Sequence, residues 1–414
     1  MSFVENMDAV LSLRVPTLKV LTFAIAMVVI MAFPMAFAGF WWKRGMRVPE
    51  AYYQFIMEYA PYVYVTPEIG PDPFWGRAAF AAAFAIDFLD EAYHDSQFTS
   101  TQKATIYSKI VSLADFILTQ QFVADSTKSY YGGFQSNETT RHFYSADAAR
   151  IIPSLLRAHR LTGTSSYLDA ARLAGSRFLY EMQNPPTPAI VDRYYGGFIR
   201  GIVVVGELGE SELRLTQMDI ENLYALIGLK MLIDYDPANK ARYENMMQDA
   251  IGFLCPGFEN LYLWYDPPPR GEGKWQRVGL SKSEIYDDPF AYALLGIYDY
   301  EGWSTTAQKV YNFINTIGAS GEYRSYDPAV SWAGYIDVVD RLPACDYYDA
   351  VTAGILGKIR RNHDRSSFDV STKIIDQHRE QFMFWGVRFV DYSYVEHKKA
   401  MATVSWLSLL FLNL

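Results

Sequence analysis

The chain has 414 residues, half of them hydrophobic and 16% aromatic, with 31 Tyr against 26 Phe and a formal net charge of -9. That charge, with no basic run, repels phosphate backbones and argues against a nucleic-acid partner. Two cysteines, Cys255 and Cys345, are too few for a disulfide framework and wrongly spaced for a zinc knuckle, so one disulfide or two buried thiols both stay open.

From Val20 to Trp42 the sequence carries no charge and almost no polar group. As a helix this stretch is long enough to cross about 30 Å of hydrocarbon. Ala36-Phe37-Ala38 before Gly39 also fits a small-residue cleavage site, so a removable signal peptide competes with a retained anchor. The long polar lead favours the anchor. Lys43, Arg44 and Arg47 follow the segment while Arg14 and Lys19 precede it, which on the positive-inside rule opposes export. The aromatic, acidic body and the triplet Asn137-Glu138-Thr139 point the other way, toward an extracellular or periplasmic large domain. The predicted organisation is a lead and anchor or signal over 1–44 and one large domain over 45–414.

Beyond a linker near Gly45 to Pro49, the pattern predicts an all-α chain of paired helices with little strand-like alternation. A short helix falls near Tyr52 to Tyr59. Longer ones follow at Trp75 to Ala92, Gln102 to Phe122, Ser145 to Leu161, Ser166 to Met182, Gln217 to Tyr235 and Tyr243 to Leu254. Further candidates are Pro289 to Tyr298, Ser304 to Ile317, Cys345 to Asn362 and Glu396 to the C-terminus. The run of Ala78, Ala79, Ala81, Ala82, Ala83 and Ala85 suits close helix approach at a crowded centre. In Leu161-Thr162-Gly163-Thr164-Ser165 a Gly stands where the first helix ends and a Ser where the next is capped. The apolar run Val404 to Leu412 is too short to span a bilayer and reads as a buried closing helix.

A five-residue phrase punctuates the helices twice, as Tyr130-Tyr131-Gly132-Gly133-Phe134 and again at Tyr194-Tyr195-Gly196-Gly197-Phe198. Weaker aromatic echoes follow at Tyr262 to Pro267 and Tyr323 to Pro328, a spacing of about 60 to 65 residues that fits stacked supersecondary units. Nearly six pairs suggest a closed ring.

The order Tyr144-Ser145-Ala146-Asp147-Ala148-Ala149-Arg150, then Ala158-His159-Arg160-Leu161-Thr162-Gly163, then Tyr167-Leu168-Asp169-Ala170-Ala171-Arg172 resembles the hairpin of (α/α)6-toroid carbohydrate-active proteins of the six-hairpin glycosidase type. Similar arrangements run from Asp219 to Leu254 and from Tyr286 to Leu294. The resemblance covers roughly residues 74 to 320 and implies a toroid whose groove lies at one end of the ring, walled by loops, with acidic groups on inner-helix ends. It implies an oligo- or polysaccharide ligand, but no motif separates hydrolases from lyases, epimerases or inactive relatives; no cofactor is expected.

Glycosidic hydrolysis needs a protonated acid and an ionised carboxylate roughly 5 to 10 Å apart. Asp147, Asp219, Glu221, Asp287 and Asp288 all fall at predicted inner-helix starts, with Asp288 and Glu221 the first choices; capping and the helix dipole also place acids there. Elimination or epimerisation needs Tyr or His as base and a cation for the substrate carboxylate, and Arg141, His142 and Tyr144 supply those types. Tyr131, Tyr195 and Trp264 suit sugar stacking, while Phe134 and Phe198 read as plugs of hairpin junctions. The Pro-rich loop Asp266 to Trp275 suits a cleft wall. No spacing indicates a metal site. A hydrolase leads this reading. A lyase or epimerase, and a non-catalytic glycan-binding or structural module, are the alternatives; an isoprenoid cyclase is opposed by the lack of an Asp-rich diphosphate motif.

Overall fold

The computed structural model describes residues 48, 50–66, 70–73, 75–183, 196–206, 211–215, 224–254, 263–266, 274–277, 288–311, 355, 359 and 399–413. The anchor segment Val20 to Trp42 and both cysteines lie outside these residues. Among the described residues no helix is long and apolar enough to cross a membrane.

Helix α1 (Glu50–Tyr59) leads into two short strands, β1 (Tyr64–Thr66) and β2 (Gly70–Pro71). Helix α2 (Ala79–His94) then pairs with α3 (Ser100–Thr119). Strand β3 (His142–Tyr144) runs directly into α4 (Ser145–Thr162), which pairs with α5 (Ser165–Leu173). The α5 path continues through a π-helical stretch, Ala174–Leu179, to a last turn at Tyr180–Gln183. Strands β4 (Gly201–Val205) and β5 (Ser211–Leu215) precede α6 (Ala225–Tyr235) and α7 (Lys240–Leu254). Strands β6 (Leu263–Asp266) and β7 (Lys274–Arg277), helix α8 (Asp288–Glu301), strand β8 (Lys399–Ala400) and helix α9 (Met401–Asn413) complete the described elements.

Local chemistry sets these boundaries. Helix α3 opens on a capping box in which the Gln102 amide donates to Thr99 Oγ1 and the Thr99 amide donates to Gln102 Oε1. Helix α4 stops at Gly163, whose φ of +73° only glycine adopts cheaply. The expected Ser cap of α5 is corrected: Thr164 holds the N-cap position without a side-chain hydrogen bond, and Ser165 is already helical.

Helix α2 packs on α4, α4 on α6, α6 on α8, and the closing helix α9 on α2. Contacts between α2 and α4 advance with a nearly constant offset. Ser154 Oγ donates to Asp87, Arg157 pairs with Asp87 and Arg160 with Asp90. A constant offset is the mark of parallel helices, so both begin at the same end. The alanine-rich stretch of α2, Ala79 to Ala85, is almost entirely buried there, as its small side chains predict. Gly296 of α8 lies so close to α6 that a Cβ would overlap Leu226. Ile355 and Ile359, both helical and buried, belong to the Cys345 to Asn362 candidate.

Three small antiparallel sheets among the described residues add to the mainly helical architecture that was expected. They are ordered β2-β1-β8, β3-β4-β5 and β6-β7. In the second, Phe143 faces Ile202 and His142 faces Val203, while Val203 faces Leu213. The β-branched run Ile202 to Val205, bounded by Gly201 and Gly206, is the signal for β4 that a helix-period reading passes over. In the first sheet β8 pairs with β1 and the Met401 amide donates to Val63 carbonyl, 3.0 Å, joining the two ends of the ring beside α9.

Candidate active site at the helix starts

The β3–α4 junction brings four sequence candidates together. Residues i and i+2 of a strand share a face, so His142 and Tyr144 stand side by side, with Tyr144 Oη 3.2 Å from His142 Nδ1. The Arg200 guanidinium lies over the Tyr144 ring at 5.7 Å. Burial lowers the His142 pKa from its ordinary value near 6.5, so the ring is neutral at pH 7. Burial raises the Tyr144 hydroxyl; Arg200 opposes that shift and Asp147 adds to it. Arg141 is exposed beside them and its carbonyl accepts from the Val204 amide, 3.0 Å.

Asp147 sits in the first turn of α4 and is buried, 3.9 Å from Arg150. The Arg150 guanidinium in turn stacks over Tyr224 at 4.1 Å and lies near Phe84 and Tyr292. This countercharge suits a carboxylate acting as base or as stabiliser of developing positive charge more than one acting as proton donor.

Asp288 opens α8 as expected, and Trp264 lies in β6 rather than in a loop. Asp219, Glu221, Asp287 and Tyr195 lie outside the described residues. Tyr131 is half-buried.

The Tyr-Tyr-Gly-Gly-Phe phrase is in good part a packing device. Phe134 and Phe198 are fully buried, and Tyr130 stacks on Phe143 at 4.6 Å. A glutamine precedes each copy and clasps it. Gln121 Nε2 donates to the carbonyls of Gly132 and Ala170; Gln183 Nε2 donates to those of Gly196 and Met246. Each amide therefore ties the end of one outer helix and the loop after it to the next outer helix. The Gln-to-Gly spacing, 11 in one copy and 13 in the other, was the readable signal for this pairing.

Below the helix starts, a narrow cleft with room for about one or two waters extends from Ala149 and Arg150 to Arg157 of α4. Phe84, Tyr224, Tyr292 and Trp406 supply rings to its wall. Tyr224 and Tyr292 are 4.1 Å apart between centroids, and Trp406 meets Tyr292 edge-on at 5.6 Å. Asp87, Glu91 and Arg157 add charge. Among the described residues no group of three metal-ligating side chains occurs.

No family model matches the chain, and no curated protein matches it. Solved structures do. An unsaturated glucuronyl hydrolase specific for heparin aligns at TM-score 0.55 and 14% identity, over 88% of this chain and 93% of that one. A sugar epimerase from a ruminal bacterium aligns at 0.58 and 10%, over 88% and 96%. An inactive variant of the α-1,6-mannanase GH76A of Salegentibacter sp. HEL1_6, with two consecutive aspartates changed to asparagine, aligns at 0.50 and 11%, over 88% and 96%. The chain thus shares the (α/α)6-toroid, glycosidase-like fold of proteins that act on sugars.

Proposed function

We propose that this chain is a carbohydrate-active enzyme, a glycoside hydrolase that cuts an oligo- or polysaccharide with carboxylates at the starts of its inner helices. The observation that carries this reading is the parallel run of α2 and α4 within a ring of packed helices. Helices so arranged gather their first turns at one end, and Asp147, Asp219, Glu221, Asp287 and Asp288 are the acids the sequence offers there. The inactive mannanase variant lends weight to one pair, because Asp287-Asp288 is the single place in this chain where two aspartates are consecutive.

In the chemistry proposed, one carboxylic acid protonates the glycosidic oxygen as the bond to the anomeric carbon breaks. A second, ionised carboxylate either attacks that carbon or takes a proton from the attacking water. A separation near 5 Å gives retention and one near 6.5 to 9.5 Å inversion. Tyr131, Tyr195 and Trp264 are the proposed stacking surfaces, and Val20 to Trp42 is the proposed anchor holding the large domain outside the cell.

The His142–Tyr144 contact supports a second reading, elimination or epimerisation at a uronic acid. A neutral imidazole beside a phenol can move a proton, and Arg141 or Arg200 would hold the substrate carboxylate.

A glycan-panel assay on the full chain, reading new reducing ends and unsaturated uronates in parallel, separates the two. Reducing ends without unsaturation, lost in Asp287→Asn and Asp288→Asn but kept in His142→Gln, are expected. Unsaturated product lost in His142→Gln would move the chemistry to β3. Binding without turnover on any glycan would overturn both in favour of a non-catalytic glycan-binding module.

A further inference from the structure

We infer that Arg150 is a positioning residue that holds the Asp147 carboxylate ionised, which assigns Asp147 the role of base or nucleophile and leaves proton donation to an acid at another helix start. This inference rests on the hydrolase reading above.

Spacing and burial come first. Asp147 and Arg150 stand three residues apart at the start of α4 and so share a helix face. Their side chains are 8% and 14% exposed, and the guanidinium comes within 3.9 Å of the carboxylate. A pair so little exposed is screened far less than one on the surface, and a buried carboxyl without a countercharge keeps its proton instead. Arg150 is itself fixed. Its guanidinium lies 4.1 Å from the centre of the Tyr224 ring, with the Phe84 and Tyr292 rings at 5.6 and 6.0 Å. Those rings come from α2, from α8 and from the residue that opens α6, so three neighbouring elements close around one cation.

The other charged groups around α4 are engaged elsewhere. Arg200 of β4 lies over the Tyr144 ring, and His142 is neutral at pH 7. On α2 the first charged residue is Asp87, which pairs with Arg157 about two turns below Arg150. On α6 the first is Lys230, paired with Asp234. Arg77 ahead of α2 pairs with Glu138, Arg177 beyond α5 pairs with Glu181, and Lys109 of α3 donates to the Ala60 carbonyl. Asp288 brings α8 a further acid, and α9 carries no charged residue. Among the described residues Arg150 is therefore the cation in contact with Asp147.

The pH profile of kcat/KM, on whichever glycan the full chain cuts, tests this. Arg150→Gln should move the acidic limb up by about one pH unit or more, and Arg150→Lys, which keeps the charge, should move it clearly less. Arg150→Met packs on the same rings and takes the place of the glutamine variant should that one not fold. A merely structural role would lower the rate at every pH with the limb unmoved. That result would overturn the inference and leave the hydrolase reading standing. Urea unfolding adds a readout that needs no turnover. Without its countercharge, the buried Asp147 carboxyl of Arg150→Gln binds its proton more tightly in the folded chain than in the unfolded one. Its contribution to stability is then greatest at low pH and is lost as pH rises from about 4 to 7. Arg150→Gln should lose stability over that window relative to the wild type, and adding Asp147→Asn should remove the loss. Equal slopes in the single and double variants would overturn the inference. The expected slopes beside a silent glycan panel would uphold the hold of Arg150 on Asp147 while the hydrolase reading fell.

Discussion

At the scale of single residues, His142 makes the β3–α4 junction sensitive to pH. Burial lowers its folded pKa below its unfolded value near 6.5. The unfolded chain therefore binds the proton more readily, and stability rises with pH through that window and is lost as pH falls below about 6.5. The melting temperature of His142→Gln should fall less than that of the wild type between pH 7 and 5. Equal slopes would show that the ring is hydrated in both states. Tyr243 makes a different contribution. It is fully buried and its hydroxyl donates to Asp236, 2.8 Å, whose other partners are Asn239 and Arg172. Tyr243→Phe removes one donor to a buried carboxylate and should cost about 1–3 kcal/mol in denaturant unfolding. Its site lies between α6 and α7, so sugar binding should be untouched.

At the scale of elements, two glycines with positive φ separate conformational strain from collision. Gly163 has φ +73° with open space where a Cβ would stand, whereas Gly196 has φ +106° and a Cβ there would strike the Asp249 carbonyl. Gly163→Ala should cost about 1–2 kcal/mol, the left-handed penalty alone. Gly196→Ala should cost clearly more, because the loop must also pull away from α7 and loosen the Gln183 clasp. A comparison of urea midpoints checks the order, and equal losses would mean that the loop moves freely.

These contrasts show how much of the architecture was legible. Helix positions followed from apolar content and spacing: α4, α7 and α9 lie close to their predicted bounds, and α5 with its π-helical and final turns spans the predicted Ser166 to Met182. The alanine run marked α2 as an inner helix for the same reason. The sheets were not legible by that route, since three- to five-residue strands such as His142–Tyr144 offer too few residues for a period to emerge. The mouth was half legible. Asp147, His142 and Tyr144 are neighbours in sequence and remain so in space, whereas Arg200 reaches Tyr144 only because β4 pairs with β3. Trp406 was read merely as part of a closing helix, and its relation to Tyr292 and Arg150 depends on ring closure, which no local pattern encodes.

At the scale of the whole molecule, that closure is the feature on which the rest depends. Helix α9 follows β8 directly, packs on α2 and α1, and carries Met401, Val404, Trp406, Leu409 and Leu412 into the interior. Full burial of large apolar side chains contributes about 1.5–3 kcal/mol each, so these five together are worth roughly 8–15 kcal/mol as an upper estimate. Domain stabilities are of the same size, about 5–15 kcal/mol. A chain ending before Lys399 should therefore not hold a native ring at all, rather than fold with a lowered melting temperature. Circular dichroism of the truncated chain should show helix without a cooperative thermal transition, and size exclusion should show an expanded or aggregated species. A sharp transition in that chain would mean that α2 and α4 to α8 form a self-sufficient open arc. Adding residues 399–413 back as a separate peptide distinguishes the cases further: in a ring that needs closing, the peptide should restore the cooperative transition, since it returns Met401, Val404, Trp406, Leu409 and Leu412 to the interior.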